Sequence, residues 1–368
     1  MDNLTHTLFA ATLARTALRR GGRGTTTALI LASNAPDIDI VATAGGALKY
    51  LEWHRGPSHG PLGIVGLGLL TAGLVWSGRQ VFDRRRACDH PPYRQLATVS
   101  IIGVLLHVLM DLPTVYGTRL FSPFDWRWYA VDLVPIIDVY LLAALTAGLV
   151  LAGRSDTARG RNAAIVLALM AANYGLRGVA HERALDLAPQ VFGSRLPARC
   201  DSSARPHPIV NRWPRPVSPS PARAAPTSCL VTIAALPTFA TPFEWRLVVQ
   251  LSDGYEISDV DVLASRVRVS TPQSDTTPGV TIRFPNQWTP AVFAAARTEV
   301  GRLFLGFSRF PSARAFVDGD GITTVRWNEM RFTRGEAGAD QRGRREELFT
   351  ATVRIDRDGQ IIDQRLGR

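Results

Sequence analysis

The first half of the chain alternates long apolar segments with short polar loops. Four apolar segments follow residue 60, and each approaches the about 20 residues that a helix needs to cross a bilayer. They are Pro61–Trp76, Leu96–Leu112, Val134–Gly153 and Asn162–Ala180. Two shorter helices, Leu4–Leu18 and Thr25–Ala35, are predicted before them, with an arginine-rich turn between. The pattern therefore predicts a polytopic transmembrane domain of about five to six helices over residues 1–182.

The second half has a different pattern. Residues 183–227 are predicted to form a Pro/Arg-rich linker, because eight prolines fall between 196 and 227 and such a stretch cannot bury a core. Beyond it, residues 228–368 alternate apolar and polar positions, which is typical of strands. The predicted strands are Glu244–Leu251, Val260–Val269, Thr323–Phe332 and Phe349–Asp356, and Pro290–Phe304 is predicted as one helix. The fold class is therefore mostly α: a transmembrane helical domain, a linker and a small soluble α+β domain.

The charge pattern indicates how the helices are oriented. The chain has 42 Lys+Arg and a net charge of +11, and Lys49 is its only lysine. Arginine-rich loops at 15–24, 78–95 and 154–161 alternate with poorer loops at 46–60 and 113–133. The positive-inside rule then predicts, for six spans, that both termini and the C-terminal domain lie outside the cytoplasm. Membrane lipids are the expected partners, and no nucleic-acid-binding motif is present.

The three cysteines carry little chemistry in the sequence. Cys88, Cys200 and Cys229 form no CxxC pair, so neither a thiolate zinc site nor a disulfide framework is predicted. Pairing of Cys200 with Cys229 is the alternative if their segment lies outside the cytoplasm.

Histidine and aspartate recur within or beside the apolar segments, where ionisable groups are costly and need a reason. His107 and Asp111 are spaced i, i+4, on one face of a helix. The predicted orientation brings all these residues to the outer membrane face. The predicted metal ligands are His6, Asp37, His54, His59, His107 and Asp111.

Imidazole nitrogen and carboxylate oxygen together suit zinc, with manganese or iron as alternatives, and several carboxylates favour more than one ion. Such ions activate water, so the pattern predicts hydrolysis, most naturally of a phosphoester in a lipid or amphipathic substrate. Asp39 and Asp138 are each a ligand, a partner that orients a ligand, or a general base. Arg55 either neutralises a substrate phosphate or faces lipid headgroups.

Other interpretations remain open. The HxxxD pair can join two helices, PDID can stop a helix, and HRGPSHG can be a turn. The second hypothesis is a non-catalytic membrane protein with a structural or sensing metal site and a partner-binding C-terminal domain. Aromatic residues between Pro113 and Pro135 are interpreted as an interfacial belt. They are Tyr116, Phe121, Phe124, Trp126, Trp128 and Tyr129.

The sequence resembles the YdjM-like family of bacterial inner-membrane metal-dependent hydrolases. The matching motifs are MDNLTH at 1–6, APDID at 35–39, HRGPSH at 54–59, HVLMDLPTVYGTRLFSPF at 107–124 and IID at 136–138. The resemblance extends to Tyr174, Arg177 and His181. The resemblance implies a multi-pass protein of the bacterial inner membrane, with a metal-dependent hydrolytic site built from the histidines and aspartates of the five motifs.

Overall fold

The computed structural model divides the chain into two compact units. The first comprises Met1–Ala44 and Trp53–Gly178, and the second Gly45–Glu52 and Val179–Arg368. The structure describes residues 1–16, 18, 22–83, 92–151, 153, 155–193, 196–200, 208–214, 228–264, 269–270, 281–333 and 349–367.

The N-terminal half is helical. Its elements are α1 (Asn3–Leu13), α2 (Thr25–Ala32), a 3₁₀ helix (Ala35–Gly45), α3 (Ala47–Trp53), α4 (Pro61–Asp83), α5 (Tyr93–Asp111), the short strand β1 (Trp128–Ala130), α6 (Val139–Val150) and α7 (Asp156–Phe192). Among the described residues, three helical segments are long and apolar enough to cross a membrane: Pro61–Val81, Tyr93–Asp111 and Asp156–Phe192. Helices α1, α2 and α6 pack against these three segments in one apolar core, which includes Phe9, Leu29 and Leu145.

The other helices are shorter than predicted. α1, α2 and α6 have 11, 8 and 12 residues, below the about 20 of a full span. The predicted segment Val134–Gly153 becomes helical only at Val139, because the Asp138 side chain accepts the N–H groups of Tyr140 and Leu141 at 3.0 and 3.2 Å. The arginine-rich turn falls partly outside the described residues, which omit Arg19 and Arg20.

Helix α7 continues to Phe192, through residues predicted to begin the linker at 183. The physical reason is burial: Ala184, Leu185 and Ala188 lie in an apolar core with Trp245 and Leu247. Much of the remaining linker, residues 201–207 and 215–227, lies outside the described residues, as do residues 84–91 of the arginine-rich loop.

In the residues that the structure describes, the second unit contains two antiparallel sheets. Its strands are β2 (Asn211–Trp213), β3 (Leu230–Pro237), β4 (Glu244–Leu251), β5 (Gly254–Asp261), β6 (Val269–Ser270), β7 (Ile282–Pro285), β8 (Pro311–Val317), β9 (Thr323–Glu329), β10 (Thr350–Ile355) and β11 (Ile361–Leu366). One sheet has the order β3-β4-β5-β6, with β7 also paired to β5, and the other has the order β11-β10-β9-β8. Helices α8 (Pro290–Ala296) and α9 (Glu299–Phe307) pack on the second sheet through Val292, Val300 and Phe304.

The predicted strand Glu244–Leu251 has the bounds of β4, and the last two predicted strands overlap β9 and β10. The predicted strand Val260–Val269 is wrong, because β5 runs from Gly254 to Asp261. The single helix predicted at 290–304 is two helices. Thr298 begins the second one by accepting the N–H of Gly301 at 3.1 Å, and a Cβ on Gly301 would overlap the Ala295 carbonyl.

Cys200 and Cys229 form a disulfide across 29 positions of sequence. The pairing held as the alternative is therefore the one that the structure shows. Cys88 lies outside the described residues.

Candidate metal centre

The last turn of α5 carries two fully buried candidate ligands, His107 and Asp111. The Nδ1 atom of His107 lies 2.7 Å from the carbonyl oxygen of Ser33, which follows α2. This bond fixes the proton on Nδ1 and leaves Nε2 as a free lone pair, as in most metal-binding histidines. The Nε2 atom lies 3.4 Å from Asp111 Oδ2, so one helical turn supplies a nitrogen and an oxygen to the same point.

Two further residues, His59 and Asp37, place donor atoms close to this pair. His59 Nε2 lies 3.3 Å from His107 Nε2 and 3.4 Å from Asp111 Oδ2. Asp37 Oδ1 lies 3.6 Å from His107 Nε2 and 3.8 Å from His59 Nε2. Zinc bonds of about 2.0–2.1 Å in tetrahedral geometry place their donors about 3.3–3.4 Å apart. The donor separations therefore fit a small divalent cation with little adjustment.

His6 adds a second, overlapping group. Its ring stacks on His107 with centroids 3.9 Å apart, and its Nε2 lies 3.5 Å from Asp111 Oδ1. Within the described part of the chain, neither ring nitrogen of this fully buried histidine has a hydrogen-bond partner. Asp111 Oδ1 also contacts the Met1 amino group and Arg55 Nη2. Asp111 thus places Oδ1 beside His6 and Oδ2 beside His59 and His107. The two candidate donor groups, His6–His107–Asp111 and Asp37–His59–His107, share His107.

His54 and Asp39 lie beside these groups. Asp39 Oδ2 accepts the backbone N–H of Arg55 at 2.6 Å and lies 3.3 Å from His54 Nδ1. It is also 3.9 Å from His59 Nδ1, which Ser58 Oγ approaches at 3.0 Å. A carboxylate in this place can orient a ligating imidazole through its other nitrogen. The geometry thus gives Asp39 contacts to two imidazoles, while His54 belongs to neither donor group.

Arg55 points into the protein. The residue is 4% exposed, with Nη1 donating to the Gly117 carbonyl at 2.7 Å and Nη2 to Asp111 Oδ1 at 3.2 Å. The headgroup-facing interpretation of Arg55 is therefore wrong. Its backbone has a φ of +50°, and its carbonyl accepts the N–H of Arg119 at 3.2 Å. The loop that contains Arg119 and Ser122 thereby contacts the His54–His59 segment. Gly60 is required directly after this segment, because any Cβ would overlap the Ser122 carbonyl.

Burial sets the protonation of the loop residues. Burial lowers the pKa of His59 well below its usual range and also lowers the pKa of His54. Burial likewise raises the pKa of the Asp37 carboxyl, against the opposing charge of Arg55. His54 and His59 are therefore neutral near pH 7, and the neutral imidazole is the form whose nitrogen can bind a cation.

Asp138 has a different set of partners. It caps α6, accepts the Asn173 side-chain amide at 3.0 Å and lies 3.0 Å from Arg177 Nε. Among the described residues, its hydrogen bonds and ion pairs involve α6 and α7, and it belongs to neither donor group. The sequence placed Asp138 near the ligands because IID lies close to the outer end of a predicted span; the structure uses the carboxylate to begin that helix.

The aromatic segment divides into two sets. Tyr116 and Trp128 are buried, with ring centroids 5.5 and 6.5 Å from His54. The interpretation as an interfacial belt is wrong for Tyr116 and Trp128, because both side chains are buried beside His54. Phe121, Phe124 and Trp126 are exposed.

Sequence reasoning missed two partners of the candidate ligands, the Ser33 carbonyl and the Met1 amino group. Both are backbone groups, so residue identity gives no signal for them. The contact to Ser33 follows only from the packing of α2 against α5, where Gly103 lies against Ala32.

The helical fold and the buried His/Asp groups define a membrane protein with a candidate metal centre. The chain belongs to the YdjM inner membrane protein family, whose model matches residues 1–184 and so covers every candidate ligand. It is also similar to the uncharacterized protein YfhP of Bacillus subtilis (strain 168), with 25% identity over 122 residues. That match covers 33% of this chain and 35% of the relative. No solved structure matches the chain.

Proposed function

We propose that this inner-membrane protein is a zinc-dependent hydrolase that acts on a phosphoester of a lipid or another amphipathic molecule. The observation that carries the proposal is the donor set of His59, His107, Asp37 and Asp111, whose nitrogen–nitrogen and nitrogen–oxygen separations of 3.3–3.8 Å suit a tetrahedral cation. His6, with no hydrogen-bond partner among the described residues, extends the set toward a second ion.

These residues have distinct roles in the proposal. His59, His107, Asp37 and Asp111 hold the cation, and Asp39 orients His59 and His54. Arg55 holds Asp111 through Oδ1. A bound zinc ion would supply Lewis acidity, which brings the pKa of a water molecule toward neutrality and polarises a phosphoryl oxygen. The enclosing helices exclude bulk water, which strengthens each of these electrostatic interactions.

The surroundings of Asp37 support an amphipathic substrate. Its side chain is 18% exposed, whereas those of His59, His107 and Asp111 are 0% exposed, so the cluster opens beside Asp37. Ile38, Ile40 and Val41 follow it along the 3₁₀ helix and are 54%, 55% and 66% exposed. Apolar side chains exposed around an opening favour a substrate with acyl or other apolar parts.

The proposal also includes the outer face of the inner membrane for the C-terminal domain. The Cys200–Cys229 disulfide supports this side, because disulfides persist in extracytoplasmic compartments and are rare in the cytosol. A multi-pass arrangement is part of the same proposal, with α4, α5 and α7 among its spans.

The test is metal analysis of detergent-purified full-length protein combined with a screen of phosphoester substrates, including phospholipids. We expect at least one zinc per chain and hydrolysis that chelation abolishes and zinc restores. Protein that retains no metal above background would contradict the proposal. Stoichiometric zinc without turnover on any phosphoester would favour the non-catalytic alternative, which the ion pairs of Asp111 with Arg55 and the Met1 amine support.

A further inference from the structure

A second polar group lies in the interior of the first unit, outside the donor groups of the metal centre. Arg177 in α7 is 0% exposed, although Leu169 and Leu176 of the same helix are 53% and 46% exposed. The arginine therefore points away from the lipid-facing side of the helix. A buried guanidinium is costly unless each of its N–H groups has an acceptor, so its partners need to be accounted for.

Asp138 forms an ion pair with only one edge of this guanidinium. Its Oδ2 lies 3.0 Å from Arg177 Nε and accepts the Asn173 amide, while Oδ1 accepts the N–H groups of Tyr140 and Leu141. A carboxylate offers about four acceptor positions, so Asp138 is saturated by these contacts. Within the described part of the chain, Arg177 Nη1 and Nη2 have no hydrogen-bond partner.

A residue one helical turn from Arg177 reaches toward the metal centre. Tyr174, one helical turn before Arg177, places its hydroxyl 3.8 Å from Met1 Sδ, and the Met1 amino group contacts Asp111. The Tyr174 side chain packs against the core that contains Met1 and Val134. Tyr174 thus offers a hydroxyl beside Met1, which contacts a candidate ligand, and Arg177 lies one helical turn further along α7.

We propose that Arg177 forms an oxyanion site that binds phosphoryl oxygens through Nη1 and Nη2, with Asp138 as the positioning residue that fixes the guanidinium. The two Nη groups form a planar fork that matches two oxygens of one phosphoryl group, and such charge-assisted pairs are the strong ones. The assignment of this anion as part of the substrate rests on the proposed function, whereas anion binding itself does not.

The experiment titrates full-length protein in a phosphate-free detergent with two probes, inorganic phosphate and short-chain phosphatidic acid. Calorimetry is run on zinc-loaded and on chelated samples with measured zinc content. We expect wild type to bind at least one probe in both states, and Arg177→Lys to bind about tenfold or more weakly, because lysine lacks the fork. Binding of inorganic phosphate but not of phosphatidic acid would indicate that the ligand is free phosphate. Competition of phosphatidic acid with phosphate would indicate that the ligand is a lipid headgroup.

Two further variants keep the test decisive. Arg183→Gln removes an exposed arginine of the same helix and should bind within about twofold of wild type. If Arg177→Lys does not fold, the double variant Asp138→Asn/Arg177→Gln removes the charges together and should show the same loss. The proposal is overturned if wild type binds neither probe, if the Arg177 variants bind as wild type does, or if binding disappears entirely on chelation. Wild type that retains no zinc as purified, yet binds phosphate through Arg177, would contradict the hydrolase proposal alone.

Discussion

The buried carboxylates Asp111 and Glu329 lie in different units and have opposite surroundings. Both side chains are 0% exposed. The hydrogen-bonding capacity of Glu329 is filled by the Ser308 hydroxyl, the N–H groups of Arg309, Phe310 and Arg331, and the Arg331 side chain. Asp111 instead faces His59 and His107 with an Oδ2 atom that has no hydrogen-bond partner among the described residues.

The difference distinguishes a structural carboxylate, Glu329, from a candidate ligand, Asp111. A buried polar atom left without a hydrogen bond costs about 1–3 kcal/mol. Glu329 avoids that cost within its own unit and ties the start of β8 to the end of β9. Around Asp111 the cost recurs at His6 and at Asp37 Oδ2. Several such atoms around one point are what the proposed cation would satisfy, whereas a carboxylate with all its hydrogen bonds made needs no cation.

The largest expected effect is on the His/Asp cluster around Asp111. His107→Ala or Asp111→Ala should reduce bound zinc to background and hydrolysis by about a thousandfold or more, because each removes a donor of the set. Elemental analysis and phosphoester turnover measure the two losses. His181→Ala is the matched control, since His181 contacts Glu182 and Trp245 and should leave both values unchanged. Full zinc content in His107→Ala would show that the cluster around Asp111 does not hold the ion and that Asp111 does not differ from Glu329 in this respect.

Glu329→Ala should destabilise the protein by about 3–5 kcal/mol, because it leaves Arg331 buried without its carboxylate. Zinc content per folded chain should not change. Thermal unfolding of the full chain, alongside metal analysis, tests both statements. Glu244→Ala, at an exposed position of β4, should change stability by less than about 0.5 kcal/mol. Loss of zinc in Glu329→Ala would show that the two carboxylates are not independent.

Asp39→Asn should weaken zinc binding by about 10–100-fold without abolishing it, because Asp39 acts through His54 and His59 rather than on the ion. Competition with a chromogenic chelator gives the affinity. Asp156→Asn, exposed at the start of α7, provides the control and should bind zinc as wild type does. An affinity loss as large as that of Asp111→Ala would make Asp39 a direct ligand.

The smallest expected effect concerns the metal-free protein. His6→Leu should change the stability of chelated protein by only about 0–1 kcal/mol, because the His6 ring nitrogens have no hydrogen bonds to lose among the described residues. Denaturant unfolding in the presence of chelator measures it. The same variant should be less stabilised than wild type by added zinc. A loss of several kcal/mol in chelator would mean that His6 is a structural residue like Glu329.

Hydrophobic patterning located the long helices because burial and lipid exposure both require long apolar runs. It overestimated α6, since a capping carboxylate at Asp138 and an apolar stretch before it resemble a continuous segment in sequence. It also merged α8 with α9, because Thr298 and Gly301 interrupt the helix only through cap geometry and close approach. The end of α7 was placed too early, since its last turns are stabilised by a sheet distant in sequence.

By itself, the sequence determined the membrane character of the first half, the β-rich second half and the residue types available for metal chemistry. It also predicted six candidate ligands, of which His54 belongs to neither donor group; the other five are His6, Asp37, His59, His107 and Asp111. Only the tertiary structure decided that these five form two overlapping donor groups, with Asp39 beside them and Asp138 paired to Arg177 instead. The physical reason is that apolar periodicity fixes how deep a residue lies, whereas the partner of a polar atom depends on loop paths and helix contacts between distant residues.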